Sequence, residues 1–136
     1  LLSPKQPITE IQNIGTKMNI DKIQARKFIN RKLQRLRNEC EVRRKLDFNL
    51  TTDIIMEILE QQEYKCAMTG AYLEFFTGGE LDGKNPKSCS IDRINNDEGY
   101  NIDNIQLTTV EINLLRNKKS VDEFIRICKQ VSACHD

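Results

Sequence analysis

The sequence predicts a small α+β protein. Its centre is a strand, a loop, a second strand and a helix, joined by a β-hairpin, flanking helices and a basic N-terminal helical arm. Three observations predict it. Residues 88–119 hold two short extended runs around the turn-rich Asn95, Asn96, Asp97, Glu98 and Gly99, and then pass into helical spacing. Capping signals at Thr51 and Ser120 open two more helices. Basic residues crowd into 21–47 on an apolar stripe of helical period.

Length and composition set the bounds. At 136 residues the chain suits one domain with a modest core. With 38% hydrophobic and 30% charged residues it reads as a soluble globular protein. No apolar run approaches the ~18 residues of a membrane span, and no signal-peptide pattern is present. The first residue is Leu rather than Met, as in a chain trimmed or cut from something longer. Cys40, Cys66, Cys89, Cys128 and Cys134 are odd in number and lack paired spacing, which points to a reduced, intracellular protein.

Residues 1–20, with Pro4, Pro7 and Gly15, read as a lead segment. Residues 21–47 form the basic arm. Ile29, Leu33, Leu36 and Cys40 fall at steps of four, three and four, a buried helical stripe. Ten basic residues stand against four acids there, a net +6 that leaves −5 for the remainder of a chain whose total is +1. Arg26, Lys27, Arg31, Lys32 and Arg35 are candidates to meet nucleic-acid phosphate. The plainer reading is a solvated helix face.

Residues 48–136 form the remaining unit, compact with the arm. Thr51, Thr52 and Asp53 cap a helix whose apolar face is Ile54, Ile55, Ile58 and Leu59, ending near Gln62. Residues 65–76 read as a β-hairpin turning near Gly70, and 77–87, with three glycines and Pro86, as a loop. Its acids Glu80 and Asp82 are within reach of a metal in principle, but such loop acids are usually solvated. Residues 88–94 and 102–107 are the two central strands. Thr108 stands three residues before Glu111, the spacing of a capping box, so a helix follows and runs to Lys118 and Lys119. Ser120 and Glu123 repeat that spacing, and Phe124, Ile127, Cys128 and Val131 give the last helix its expected buried face. His135 is the one histidine, in the tail.

The central stretch S-C-S-I-D-R-I-N-N-D-E-G-Y-N-I-D-N-I-Q-L-T-T-V-E-I-N-L-L-R-N-K-K resembles the HNH (ββα-metal) nucleases. It is most similar to the phage-type branch, with S-x-D-R-I, then G-Y, then N, then a final N on a helix. The flanking Y-K-C-A-M-T-G and S-V-D-E-F resemble the segments around that core, so the likeness runs over roughly 48–131. The resemblance implies a small ββα-metal core, with Asp92 and Asn113 as metal ligands and Asn104 as the residue that braces the loop. Arg93 stands where the family usually has its catalytic histidine, the main departure. Many HNH proteins hold a structural zinc in two C-x-x-C pairs. Here Cys66 is followed by Thr69 and no pair exists, so no structural zinc is expected.

The implied activity is metal-dependent endonuclease cleavage of double-stranded DNA, nicking and homing-type action included. A carboxylate and an amide oxygen suit one Mg²⁺ or Mn²⁺ ion, which stabilises the phosphate and the departing oxygen. Arg93 stays protonated and accepts no proton, so it is no general base; it can grip the scissile phosphate. Tyr100, Asp97 and Glu98 are the side-chain candidates for that base. Arg116, Lys118 and Lys119 join the candidate nucleic-acid contacts. Two alternatives stay open: a DNA-binding module on the HNH fold whose cleavage was impaired by Arg93, and a domain whose basic helix docks on another protein.

Overall fold

The computed structural model describes residues 20–76 and 85–135. The lead segment through residue 19 and the loop 77–84, with Glu80 and Asp82, lie outside the described residues. Among the described residues the architecture is α+β: four α-helices, two before and two after a two-stranded antiparallel sheet.

Helix α1 (Lys22–Glu39) starts where the Asp21 carboxylate accepts the N–H groups of Ile23 and Gln24, two donors the helix itself cannot satisfy. Ala25, Phe28, Ile29 and Leu33 are buried along it, so the stripe is wider than the predicted one by a small and a large residue. Leu36 is half-buried. A π-helical turn (Cys40–Arg44) follows and stops at Lys45, which takes a left-handed backbone at φ 55°. Helix α2 (Thr52–Gln61) is capped by the Thr51 hydroxyl on the Ile54 N–H and buries Ile55 and Leu59. These side chains share one core with Tyr64, Leu73, Phe75 and the inner face of the sheet.

The expected hairpin over 65–76 shortens to a single bridge between Lys65 and Tyr72 around Gly70, at φ 77°. Its second arm pairs elsewhere. The Glu74 N–H donates to the Lys87 carbonyl and the Cys89 N–H donates to the Glu74 carbonyl, a parallel bridge that draws 72–76 toward the sheet.

Strands β1 (Cys89–Arg93) and β2 (Ile105–Thr109) pair with Cys89 opposite Thr109 and Arg93 opposite Ile105. Side chains alternate along a strand, and directly opposed residues share a face. Cys89, Ile91, Ile105 and Leu107 therefore enter the core. Ser90, Asp92, Gln106 and Thr108 form a polar face on the other side. Residues 102–104, predicted as the start of the second strand, are a 3₁₀ turn instead. Helix α3 (Val110–Arg116) covers the polar face and contacts both strands. Its cap is Thr109, one residue later than predicted: the Thr109 hydroxyl accepts the Ile112 N–H, while the buried Thr108 hydroxyl has no hydrogen-bond partner among the described residues. It ends at Arg116 rather than at the lysines, with Asn117 turning the chain at φ 53°.

Helix α4 (Val121–His135) opens with the Ser120 hydroxyl accepting the Glu123 N–H at 3.1 Å. Its expected buried face is corrected. Phe124 is buried and Ile127 partly so, but Cys128 and Val131 are exposed, because the helix outruns the surface it starts on. Among the described residues no helix is long and apolar enough to cross a membrane.

Candidate functional site

A cleft of about 480 Å³ opens where the end of β1, the loop 94–100 and α3 meet. Asp92, Arg93, Asp97, Tyr100, Asn113 and Lys118 all line it. Each arrives for a local reason. Strand alternation puts Asp92 on the face that α3 covers, two residues beyond Ser90. Asn113 sits one helical turn into α3, and its Nδ2 donates to the Ser90 hydroxyl at 2.6 Å, which locks the helix over the strand. The Asn113 Oδ1 carries no hydrogen bond among the described residues.

Asp92 is 2% exposed and its charge is answered from within the fold. Oδ1 accepts from the Arg116 guanidinium at 2.5 Å and Oδ2 from the Gln106 side chain at 2.9 Å. Arg116 is 0% exposed. It also donates to the Arg93 carbonyl and, at 2.6 Å, to the Lys119 carbonyl. One side chain thus ties the end of β1 to the exit of α3. The expectation that Arg116 meets nucleic-acid phosphate is corrected: its guanidinium is sealed under the cleft. Lys118 is exposed on the cleft wall, whereas Lys119 is half-buried and does not line it.

The loop is held from behind by Asn104, itself 6% exposed. Its Oδ1 accepts the Asn95 N–H at 2.9 Å, and its Nδ2 donates to the carbonyls of Asn95 (3.0 Å) and Gly99 (2.9 Å). Those are backbone bonds across the whole turn, the geometry of a brace. Gly99 lies against the backbone at Asp47, where an added Cβ would come within 2.4 Å of the carbonyl oxygen. Only glycine permits that approach, and with it the bond from Tyr100 N–H to Asp47. At the loop tip, the Asn96 amide donates to the Asn117 carbonyl at 3.1 Å.

Arg93 is partly exposed. Nη1 donates to the carbonyls of Asn96 (2.9 Å) and Glu98 (3.0 Å), and the guanidinium lies 5.2 Å from the centre of the Tyr100 ring. Its Nη2 and Nε carry no hydrogen bond among the described residues. The three base candidates separate. Asp97 is exposed and lines the cleft. Glu98 does not line it, and its carboxylate accepts from Asn95 at 2.9 Å. Tyr100 lines the cleft but is 5% exposed, wedged between Phe48 and Arg93.

The lining charges of Arg93 and Lys118 balance those of Asp92 and Asp97, and Arg116, buried behind Asp92, adds one positive charge. The oxygen donors of the cleft fit a hard divalent cation in kind. An ionised carboxylate offers about four acceptor sites, of which Arg116 and Gln106 occupy two, and the Asn113 oxygen is open. Among the described residues no three His, Cys, Asp or Glu side chains gather as a metal cluster. Cys66 and Cys89 are both buried free thiols, and burial pushes the Cys89 thiol up to about 12.

On the arm, Lys27, Arg31 and Arg35 are exposed. Arg26 is exposed as well but pairs with Asp53 at 3.0 Å. Lys32 is half-buried. It packs with its ammonium 5.7 Å from the Phe28 ring centre, and burial holds its pKa below the ordinary lysine value.

Sequence reasoning passed over Ser90 and Gln106 and misplaced Arg116. The signals were present: Ser90 and Asp92 share a strand face, Gln106 lies opposite Asp92, and Arg116 follows Asn113 at the i+3 spacing that stacks side chains on a helix. Comparisons of the chain with protein-family models, curated proteins and solved structures return no match.

Proposed function

We propose that the protein is a metal-dependent endonuclease that hydrolyses phosphodiester bonds of double-stranded DNA, built on a ββα-metal (HNH) core. The observation that carries the reading is the convergence of Asp92, Arg93 and Asn113 on one cleft, with Asn104 bracing the loop between the strands. A strand end and a helix turn supply oxygen donors side by side, and a guanidinium stands next to them.

In this reading Asp92 and Asn113 hold one Mg²⁺ or Mn²⁺, which supplies Lewis-acid stabilisation of the scissile phosphate and the departing 3′ oxygen. Arg93 binds a non-bridging phosphate oxygen through the N–H groups not spent on the loop carbonyls and offsets the charge that builds in the transition state. Its bonds to the Asn96 and Glu98 carbonyls keep that guanidinium in place. The attacking water loses its proton to Asp97, the exposed carboxylate on the cleft wall. Lys118 steers the backbone in, and Lys27, Arg31 and Arg35 on α1 add contacts to flanking phosphates. Five free thiols suit a reducing, intracellular compartment.

A second reading has its own support. The Asp92 charge is already matched by Arg116, and no histidine stands in the cleft. That arrangement suits a module that binds DNA and cleaves it poorly. Incubating supercoiled plasmid with the protein and Mg²⁺, beside an EDTA control, separates the two. Metal-dependent nicking supports the endonuclease; salt-sensitive binding without nicking supports the module.

A further inference from the structure

We propose that Arg116 is a positioning residue that keeps the Asp92 carboxylate compensated in the free protein, so that a divalent cation binds strongly only when a phosphate accompanies it. The proposal rests on the metal-nuclease reading above.

The pair is buried, with only Asp92 reaching the cleft wall. Arg116 is 0% and Asp92 2% exposed, with 2.5 Å between guanidinium and carboxylate. Opposite charges at that distance without water attract strongly, and a divalent ion arriving at Asp92 meets a fixed positive charge behind it. The cationic Arg93, Lys118 and buried Arg116 exceed the anionic Asp92 and Asp97 by one charge. A cation alone therefore enters against the local field, while a cation with a phosphodiester enters nearly neutral. Arg116 cannot swing away, because it also donates to the carbonyls of Arg93 and Lys119. It consequently fixes where the carboxylate lies as well as its charge. Geometry supplies the fork: lysine in its place keeps a cation and its donors on one nitrogen, but not the planar guanidinium that spans the carboxylate and the two carbonyls. Among the described residues Nε of Arg116 has no hydrogen-bond partner, so the side chain is held by its two terminal nitrogens.

The test measures Mn²⁺ binding by the electron paramagnetic resonance of the free ion, in the protein alone and with a phosphorothioate duplex that resists cleavage. In wild type the duplex should tighten Mn²⁺ binding by about tenfold or more. Arg116→Gln, which keeps a donor toward Asp92 and removes the charge, should tighten Mn²⁺ binding without DNA by a similar factor while slowing cleavage. Arg116→Lys should slow cleavage without that gain. In the double variant Asp92→Asn, Arg116→Gln, where both charges are gone, the gain should vanish. A merely structural arginine would lower stability in these variants and leave Mn²⁺ affinity of the free protein where it was. The proposal is overturned if Arg116→Gln binds Mn²⁺ like wild type, if its gain survives in the double variant, or if wild type binds Mn²⁺ equally with and without DNA. The last result also overturns the proposal should Arg116→Gln fail to fold. Failure of the nuclease reading looks different: wild type would then neither bind Mn²⁺ with the duplex nor cut plasmid.

Discussion

Replacing Asn104 tests whether the loop over the cleft is held by one side chain. Asn104→Ala removes three hydrogen bonds, to the Asn95 N–H and to the carbonyls of Asn95 and Gly99, from a residue that is 6% exposed. A hydrogen bond of this type contributes about 1 kcal/mol net, and partial re-solvation of the loop carbonyls limits the added cost. The expected loss is about 3 kcal/mol, or roughly 10 °C in Tm for a domain near this size. Asn104→Asp should do no better, since a carboxylate keeps the bond to the Asn95 N–H but faces two carbonyls with no proton to give. Urea unfolding gives the stability, and hydrogen exchange at the Asn95 amide shows where it was lost. A loss below about 1 kcal/mol, or an Asp variant clearly more stable than the Ala variant, would refute the bracing role.

Arg93→Ala should lower turnover ~10²–10³-fold while affecting DNA affinity less, with Arg93→Lys recovering part of it. Arg93→His should lose activity as well, because the Asn96 and Glu98 carbonyls are built around the guanidinium; single-turnover rates that rise instead would mark the native site as impaired. Changing Lys27, Arg31 and Arg35 to Glu should weaken binding to all DNA sequences and flatten the log–log salt slope by about three, at −0.9 per phosphate contact; an unchanged slope returns α1 to a packing role. Lys32→Met should raise Tm at neutral pH. Burial lowers the folded-state pKa of Lys32 below its unfolded 10.5, so wild-type stability rises between those two values as the unfolded state holds the extra proton. The advantage of the Met variant should therefore shrink as pH climbs toward 10.5, and a variant less stable than wild type at pH 7 would contradict the burial.

The secondary structure was legible wherever chemistry is local. The caps at Thr51 and Ser120, the helix stripe through Ile29 and Leu33, and the β1 strand all follow from short-range spacing. Long-range pairing was not. The hairpin over 65–76 shortened because Glu74 pairs with the stretch entering β1, a partner no local pattern announces. Thr108 and Thr109 are both competent caps by sequence, and only in the folded chain does the Thr109 hydroxyl, not that of Thr108, meet the Ile112 N–H. At the site, the order of Asp92, Asn104 and Asn113 was readable along the chain, but the charge balance was not. Asp92→Ala strands the buried Arg116 charge and should cost about 3–5 kcal/mol. A lone basic residue in a basic tail looks like a phosphate contact until burial shows what it faces.

That cost makes Asn113 the better residue on which to test the cleft. Asn113 is half-buried, carries no charge, and its one side-chain bond is to Ser90. The decisive measurement is cleavage of supercoiled plasmid by wild type and Asn113→Ala at matched, saturating DNA occupancy, in Mg²⁺ and in EDTA. Wild type should cut in Mg²⁺ and be silent in EDTA. Asn113→Ala should bind DNA normally and cut more slowly by at least the ~10–100-fold that even outer-shell partners of a metal typically cost. An Asn113→Ala protein that cuts at the wild-type rate, or a wild type that cuts equally in EDTA, would contradict a metal-dependent site in this cleft.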